Sequence, residues 1–138
     1  MRSILSQRNI HPDVLKYCKL ELLNNNYFHA VLESTKSVSD KTRNLSGLIS
    51  DGASLVDEAF SLKNPVLAIN SLRTESEQSE QKGFSNLLKG IFGMFRNTTA
   101  HAPKINWDIS KADAIDLMTT LSFIHRKLDN AIKIPKFK

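Results

Sequence analysis

The sequence predicts an all-α fold: a bundle of helices interrupted by one short irregular segment between the third helix and a central one. Three observations predict it. Apolar side chains recur at spacings of three and four over long stretches, which is the period of a helix with one buried face. Helix start signals stand at the heads of those stretches. The one short apolar run that reads as extended, Val66 to Leu72, has no obvious strand partner elsewhere in the chain.

Taken in order, residues 1–11 are short, polar and mildly basic, and read as a flexible N-terminal arm. His11-Pro12-Asp13 starts a helix, with proline suited to a first helical position and aspartate to the positive end of the helix dipole. That helix runs from about 12 to 23, where Asn24-Asn25-Asn26 breaks it. From Tyr27 to about Leu45 the stripe Phe28, Val31, Leu32, Thr35, Val38, Thr42 and Leu45 marks a long amphipathic helix. Its polar face carries Glu33, Lys36, Asp40, Lys41 and Arg43, with Lys36 and Asp40 spaced for an i,i+4 ion pair. Gly47 to Gly52 forms a turn, and a short helix over about 53–61 buries Leu55, Val56, Ala59 and Phe60.

After the irregular segment, Thr74-Glu75-Ser76-Glu77 matches the capping box S/T-x-x-E and opens the central helix, which runs to about Arg96. Its apolar stripe is Phe84, Leu87, Leu88, Ile91, Phe92 and Phe95. Gly90 and Gly93, three apart, leave one side of that helix open to close approach by another helix or to simple local packing. Thr98, Thr99 and Pro103 favour a bend beyond Asn97. Ser110 and Asp113 begin the last helix, whose stripe Ile115, Met118, Leu121, Ser122, Phe123 and Leu128 carries it to about Asn130. These boundaries predict one helical domain over 12–132 and a basic C-terminal tail over 133–138.

The composition is that of a globular chain, 41% apolar and 24% charged. A formal charge of +5 is compatible with an anionic partner without requiring one. The one cysteine, Cys18, lies on an apolar stripe and reads as core; it cannot form an internal disulfide. No apolar run approaches membrane-spanning length and the N-terminus has no signal-peptide character, so the expected compartment is the cytoplasm. No glycine-rich phosphate loop or serine-nucleophile elbow appears. His11, His29 and His125 have no ligand partner at a useful spacing, so neither a metal nor a cofactor is expected.

The stretch from Gly90 to Trp107 carries the chemistry. The buried helix ends in Arg96-Asn97, and His101 follows after a turn that lets guanidinium and imidazole converge. An imidazole titrating near neutrality can accept a proton from a hydroxyl, and arginine can hold a phosphate through two parallel hydrogen bonds. Together they suit attack of a ribose 2′-OH on its neighbouring phosphodiester. RNA supplies that hydroxyl and DNA does not. The spacing alone is unspecific: Arg96 and Asn97 can equally cap a helix C-terminus while His101 bonds to backbone. Lys36 and Lys104 are candidate substrate contacts, and Glu77 and Glu80, whose first role is helix capping, are candidate supporting residues. Trp107 reads as a plug at the edge of the core.

The Arg-Asn-x3-His series at the end of a buried helix resembles the Arg-polar-x3-5-His signature of the HEPN superfamily. More closely, Asp51-Gly52, Leu55-Val56, Ala59-Phe60, Pro65, Asn70, Thr74 to Glu77, Gln81 to Phe84, Gly90, Arg96-Asn97 and Ala100-His101 resemble the Ymh-type domain of bacterial and phage proteins, over about residues 26–125. The resemblance implies a HEPN-like bundle acting as a metal-independent endoribonuclease. In that role Arg96 stabilises phosphate, His101 transfers protons and Asn97 orients one of them. It further implies a homodimer with both Arg/His pairs at a shared cleft, products ending in 2′,3′-cyclic phosphate and 5′-OH, and a setting in phage defence or toxin-antitoxin growth arrest with an antitoxin or inhibitor protein as partner. The alternative is a non-catalytic helical module that binds RNA or protein. A helix-turn-helix DNA reader is disfavoured, because no short helix pair with a basic recognition face is visible.

Overall fold

The structure is a computed structural model; it describes residues 2–16, 27–97 and 109–135, with the backbone alone at 2, 3, 96 and 97. Cys18, His101, Lys104 and Trp107, the side chains of Arg96 and Asn97, and the tail residues 136–138 lie outside the described residues. The described chain is mostly helical, as expected. In order it forms α1 (Arg2–Gln7), a helical stretch at 12–16, α2 (Tyr27–Ser46), α3 (Gly52–Phe60), β1 (Leu67–Ala68), α4 (Glu75–Ile91), a π-helical segment (Phe92–Asn97), α5 (Lys111–Asp129) and β2 (Ile132–Lys133).

Local chemistry sets most of these boundaries. Thr74 caps α4 by accepting from the Glu77 N–H, and the Glu77 carboxylate accepts from the Thr74 N–H in return, so the capping box forms as read. Ser110 caps α5 through the Asp113 N–H, and Asp51 caps α3 through the Gly52 N–H. At the other end of α2, Gly47 adopts φ +79 and donates to the Arg43 carbonyl, a left-handed terminus that a Cβ would strain.

Packing then follows from the buried faces. α2 lies along α5 and α3 lies against α4, while the π-helical segment packs on both α2 and α3. One cluster joins Leu5, Val31, Val38, Val56, Phe60, Leu88, Phe92, Phe95, Met118, Leu121, Ile124 and Leu128 into the core. Phe60 and Phe84 meet edge to face at 5.4 Å, tying α3 to α4. Two members of the expected stripes face outward instead: Leu87 is 37% and Phe123 48% exposed, and both line one surface groove. On α2 the buried face is rich in hydroxyls. Thr35, Thr42 and Ser46 each donate to the carbonyl one turn back, which satisfies them without an external partner.

The structure departs from the sequence reading at four places. Residues expected to form a loose arm are helical at Arg2–Gln7, and Leu5 and Ile10 are buried in the core. The His11 N–H donates to Ser122 Oγ at 2.9 Å and Arg126 bonds the Asn9 carbonyl, so this segment docks on α5. The apolar run Val66 to Leu72 does contain a strand: Leu67 pairs with Lys133 and Ala68 with Ile132, antiparallel, and Ile134 donates to the Val66 carbonyl. The start of the expected tail is therefore part of the fold. On α2, Lys36 pairs with Glu33 and Asp40 with Arg43, i,i+3 pairs in place of the expected Lys36–Asp40 contact. Finally, the central helix reaches Asn97, but its last six residues widen into a π-helix.

Candidate functional site

α4 and its π-helical extension form one rod from Thr74 to Asn97. Phe92 and Phe95 anchor its end in the core, while Met94 between them is exposed. The backbone of Arg96 and Asn97 thus lies at the C-terminal end of a rod held by α2 and α3. A π-helical turn is an uncommon departure from α-helical hydrogen bonding and frequently accompanies functional positions. His101, the expected partner of Arg96, and Lys104, an expected substrate contact, lie outside the described residues.

Of the other expected site residues, Glu77 and Glu80 lie towards the opposite end of the rod. Lys36 sits on α2, part-exposed, with its ammonium 3.2 Å from Glu33. Glu77 and Glu80 sit in the first turns of α4, and at 1.5 Å per residue Glu77 is about 20 Å along the rod from Ile91. Their bonds are to the fold. Glu77 accepts from Ser71 Oγ and the Thr74 N–H, and Glu80 accepts from Asn70 Nδ2 and pairs with Lys127. The hydrogen bond from Ser71 holds the Glu77 carboxyl below its ordinary range, and that from Asn70 does the same for Glu80.

Asn70 also donates to the Glu77 carbonyl and accepts from the Leu72 N–H, which supports Leu72 at φ +55. Gln81, fully buried, donates to the Phe60 and Leu67 carbonyls and accepts from the Ile69 N–H. The Asn70, Thr74, Glu77 and Gln81 of the sequence series are therefore a hydrogen-bonded frame around β1.

A second constellation is one that sequence spacing missed. Where residues 11–13 meet α2 and α5, the fold gathers His11, Asp13, Ser37, Lys41, His125 and Asp129. The imidazoles of His11 and His125 stack with centroids 5.1 Å apart. Lys41 bridges Asp13, at 2.8 Å, and Asp129. The Lys41 hydrogen bond holds Asp13 below the ordinary carboxylate range. Burial opposes ionisation of Asp129, but the bonds from Lys41 and His11 outweigh it and its value is also lowered. Burial likewise opposes the Lys41 ammonium, and Asp129 and Asp13 together still raise it.

The hydrogen bonds assign both imidazole tautomers. The Asp13 N–H donates to His11 Nδ1 at 3.0 Å, so the proton of a neutral ring is on Nε2, which donates to Asp129 Oδ2 at 2.5 Å. Ser37 Oγ donates to the Ser34 carbonyl at 2.6 Å, so it accepts from His125 Nε2 at 2.8 Å. His125 Nδ1 is then a bare lone pair. It is buried, has no hydrogen-bond partner among the described residues, and lies 3.8 Å from Asp13 Oδ2. Burial, and next the nearby Lys41 charge, push His125 down to about 4, consistent with a neutral ring at pH 7. A cleft of about 210 Å³ lined by Asp13, Ser37, Asp40 and Lys41 opens the Asp13 and Lys41 side of this cluster to solvent.

One half of the cluster is visible in the sequence. His125 falls on the α5 stripe, four after Leu121 and three before Leu128, so helical phase alone places it inside. Its neighbours His11 and Asp13 stand near the start of the chain, and no local spacing connects them.

A family model described as "Protein of unknown function (Hypoth_ymh)" matches residues 8–128. No curated protein and no solved structure matches the chain.

Proposed function

For this chain, which belongs to the Hypoth_ymh family, we propose endoribonuclease activity of the HEPN type, with Arg96 and His101 as the acting pair. The observation that carries the reading is the position of Arg96-Asn97 at the π-helical end of a rod anchored by Phe92 and Phe95. A group fixed at the terminus of a packed element is held more accurately than one on a free loop, and phosphodiester chemistry depends on such positioning. His101 follows four residues after Asn97, close enough in sequence for a turn to bring it back towards Arg96.

In the proposed reaction His101 removes the proton of the ribose 2′-OH as its oxygen attacks the adjacent phosphorus. Arg96 offsets the charge gathering on the phosphoryl oxygens, and Asn97 orients the imidazole or the phosphate. The bond from phosphorus to the 5′ oxygen breaks and that oxygen takes up a proton, from the imidazolium or from water, leaving a 2′,3′-cyclic phosphate and a 5′-OH. Lys36 and Lys104 add phosphate contacts along the strand. The HEPN resemblance adds a second copy of the chain across the cleft, an inhibitor protein as partner, and a role in phage defence or toxin-like growth arrest.

The test is RNA cleavage in EDTA by the wild-type chain beside Arg96→Ala and His101→Ala, with folding followed by circular dichroism. Cleavage by the wild type alone, with cyclic-phosphate ends, supports the reading. Equal cleavage by all three rejects the site. Salt-dependent RNA binding that survives His101→Ala, with no cleavage by any of the three, identifies a binding module instead.

A further inference from the structure

We propose that His11, Asp13 and His125 form a binding site for one divalent transition-metal ion of the zinc class, which clamps the N-terminal segment to α2 and α5. The argument starts from two acceptors that face each other. His125 Nδ1 and Asp13 Oδ2 stand 3.8 Å apart, and the tautomers leave no proton between them. A buried lone pair without a donor is unfavourable, and a cation between the two resolves it.

The third ligand is in place. His11 Nδ1 lies 3.9 Å from the same Asp13 oxygen, and the ligand atoms of the three residues fall within 4.8 Å of one another. Zinc bonds of about 2.0 to 2.2 Å in a tetrahedron put ligand atoms roughly 3.4 Å apart, so closure needs a small contraction. His11 Nδ1 gives up the Asp13 N–H in exchange for the ion.

The outer contacts match what an imidazole ligand requires. In each ring Nε2 carries the proton and is held by an acceptor, Asp129 for His11 and Ser37 for His125, so that Nδ1 is the nitrogen presented. Such outer hydrogen bonds fix the tautomer and orient a metal-binding histidine. Two imidazoles and one carboxylate suit zinc, cobalt or nickel better than calcium or magnesium. The cleft beside Asp13 and Ser37 gives an entry path to the carboxylate side of the site. Lys41 is the competitor: its ammonium lies 2.8 Å from the same Asp13 Oδ2 and must yield that oxygen to the ion while keeping Asp129.

The experiment uses the full chain stripped with chelator and titrated with Co²⁺ and Zn²⁺. The expected result is one ion per chain, visible Co²⁺ bands of a four-coordinate N/O site, and a rise in Tm that saturates at that ratio. Asp13→Asn and His11→Gln should each weaken binding at least about tenfold, and Lys41→Met should tighten it by removing the rival cation. Imidazole ¹⁵N shifts of the wild type during zinc titration read the ligand atoms without any variant, and should move at Nδ1 of His11 and His125. No stoichiometric binding of either ion overturns the proposal. So does binding that Asp13→Asn and His11→Gln leave unchanged, or ¹⁵N shifts confined to His29, either of which marks an adventitious surface ion.

Discussion

Replacing Gln81 by leucine tests the frame around β1 directly. Gln81 bonds three backbone groups, the Phe60 carbonyl at 3.3 Å, the Leu67 carbonyl at 3.0 Å and the Ile69 N–H at 2.9 Å, from a side chain with no solvent exposure. Leucine has similar volume, so it fills the space but leaves all three groups without this partner. At about 1 to 3 kcal/mol per buried group left unsatisfied, the loss is roughly 3 to 9 kcal/mol. The Phe60 bond is the longest and contributes least. Leucine returns about 2 kcal/mol through its own burial, and backbone relaxation recovers more, so the expected net destabilisation is about 3 kcal/mol. That is a large share of the stability of an ordinary domain. Urea unfolding followed by circular dichroism should show the midpoint falling by about 2 M, for a slope near 1.5 kcal/mol per molar. Faster hydrogen exchange at the Ile69 amide should accompany it. A midpoint within about 0.3 M of the wild type would refute the reasoning, because the three backbone groups would then have other partners.

Acid should weaken the start of α4 in a defined direction. Glu77 is held below its ordinary value of 4.5 in the folded state, so the stability it contributes is present above that pH and is lost as the pH falls through the folded value. Glu77→Gln should flatten the part of the stability profile below 4.5, measured as Tm against pH; an unchanged profile would place the acid sensitivity elsewhere. Leu88→Ala, in the centre of the core cluster, should cost about 2 to 5 kcal/mol by chemical denaturation, and a cost under about 1 kcal/mol would mean that the site collapses around the gap. On the proposed site, Arg96→Lys keeps the charge but loses the two-pronged phosphate contact, so RNA cleavage should fall at least about tenfold with binding retained; equal rates would remove the bidentate contact from the mechanism.

Sequence reading succeeded where the deciding interaction spans a few residues. The Thr74/Glu77 box and the Ser110 cap were legible because donor and acceptor are three positions apart and close on themselves. The buried faces of α2 and α3 were legible because helical period converts spacing into side. Stripe logic erred at Leu87 and Phe123, since period gives the direction of a side chain but not whether another element covers it.

What the sequence determined by itself, then, was the all-α class, the order of the helices from α2 onward and the caps at Thr74 and Ser110, all of which depend on neighbours along the chain. Only the tertiary structure decided the rest. It paired β1 with β2, docked the N-terminal segment through Leu5 and Ile10, gave Gln81 its three backbone partners, and stacked His11 on His125. Each of these joins groups far apart in sequence. Which distant groups meet depends on how the helices pack across one core, and no local spacing encodes that arrangement.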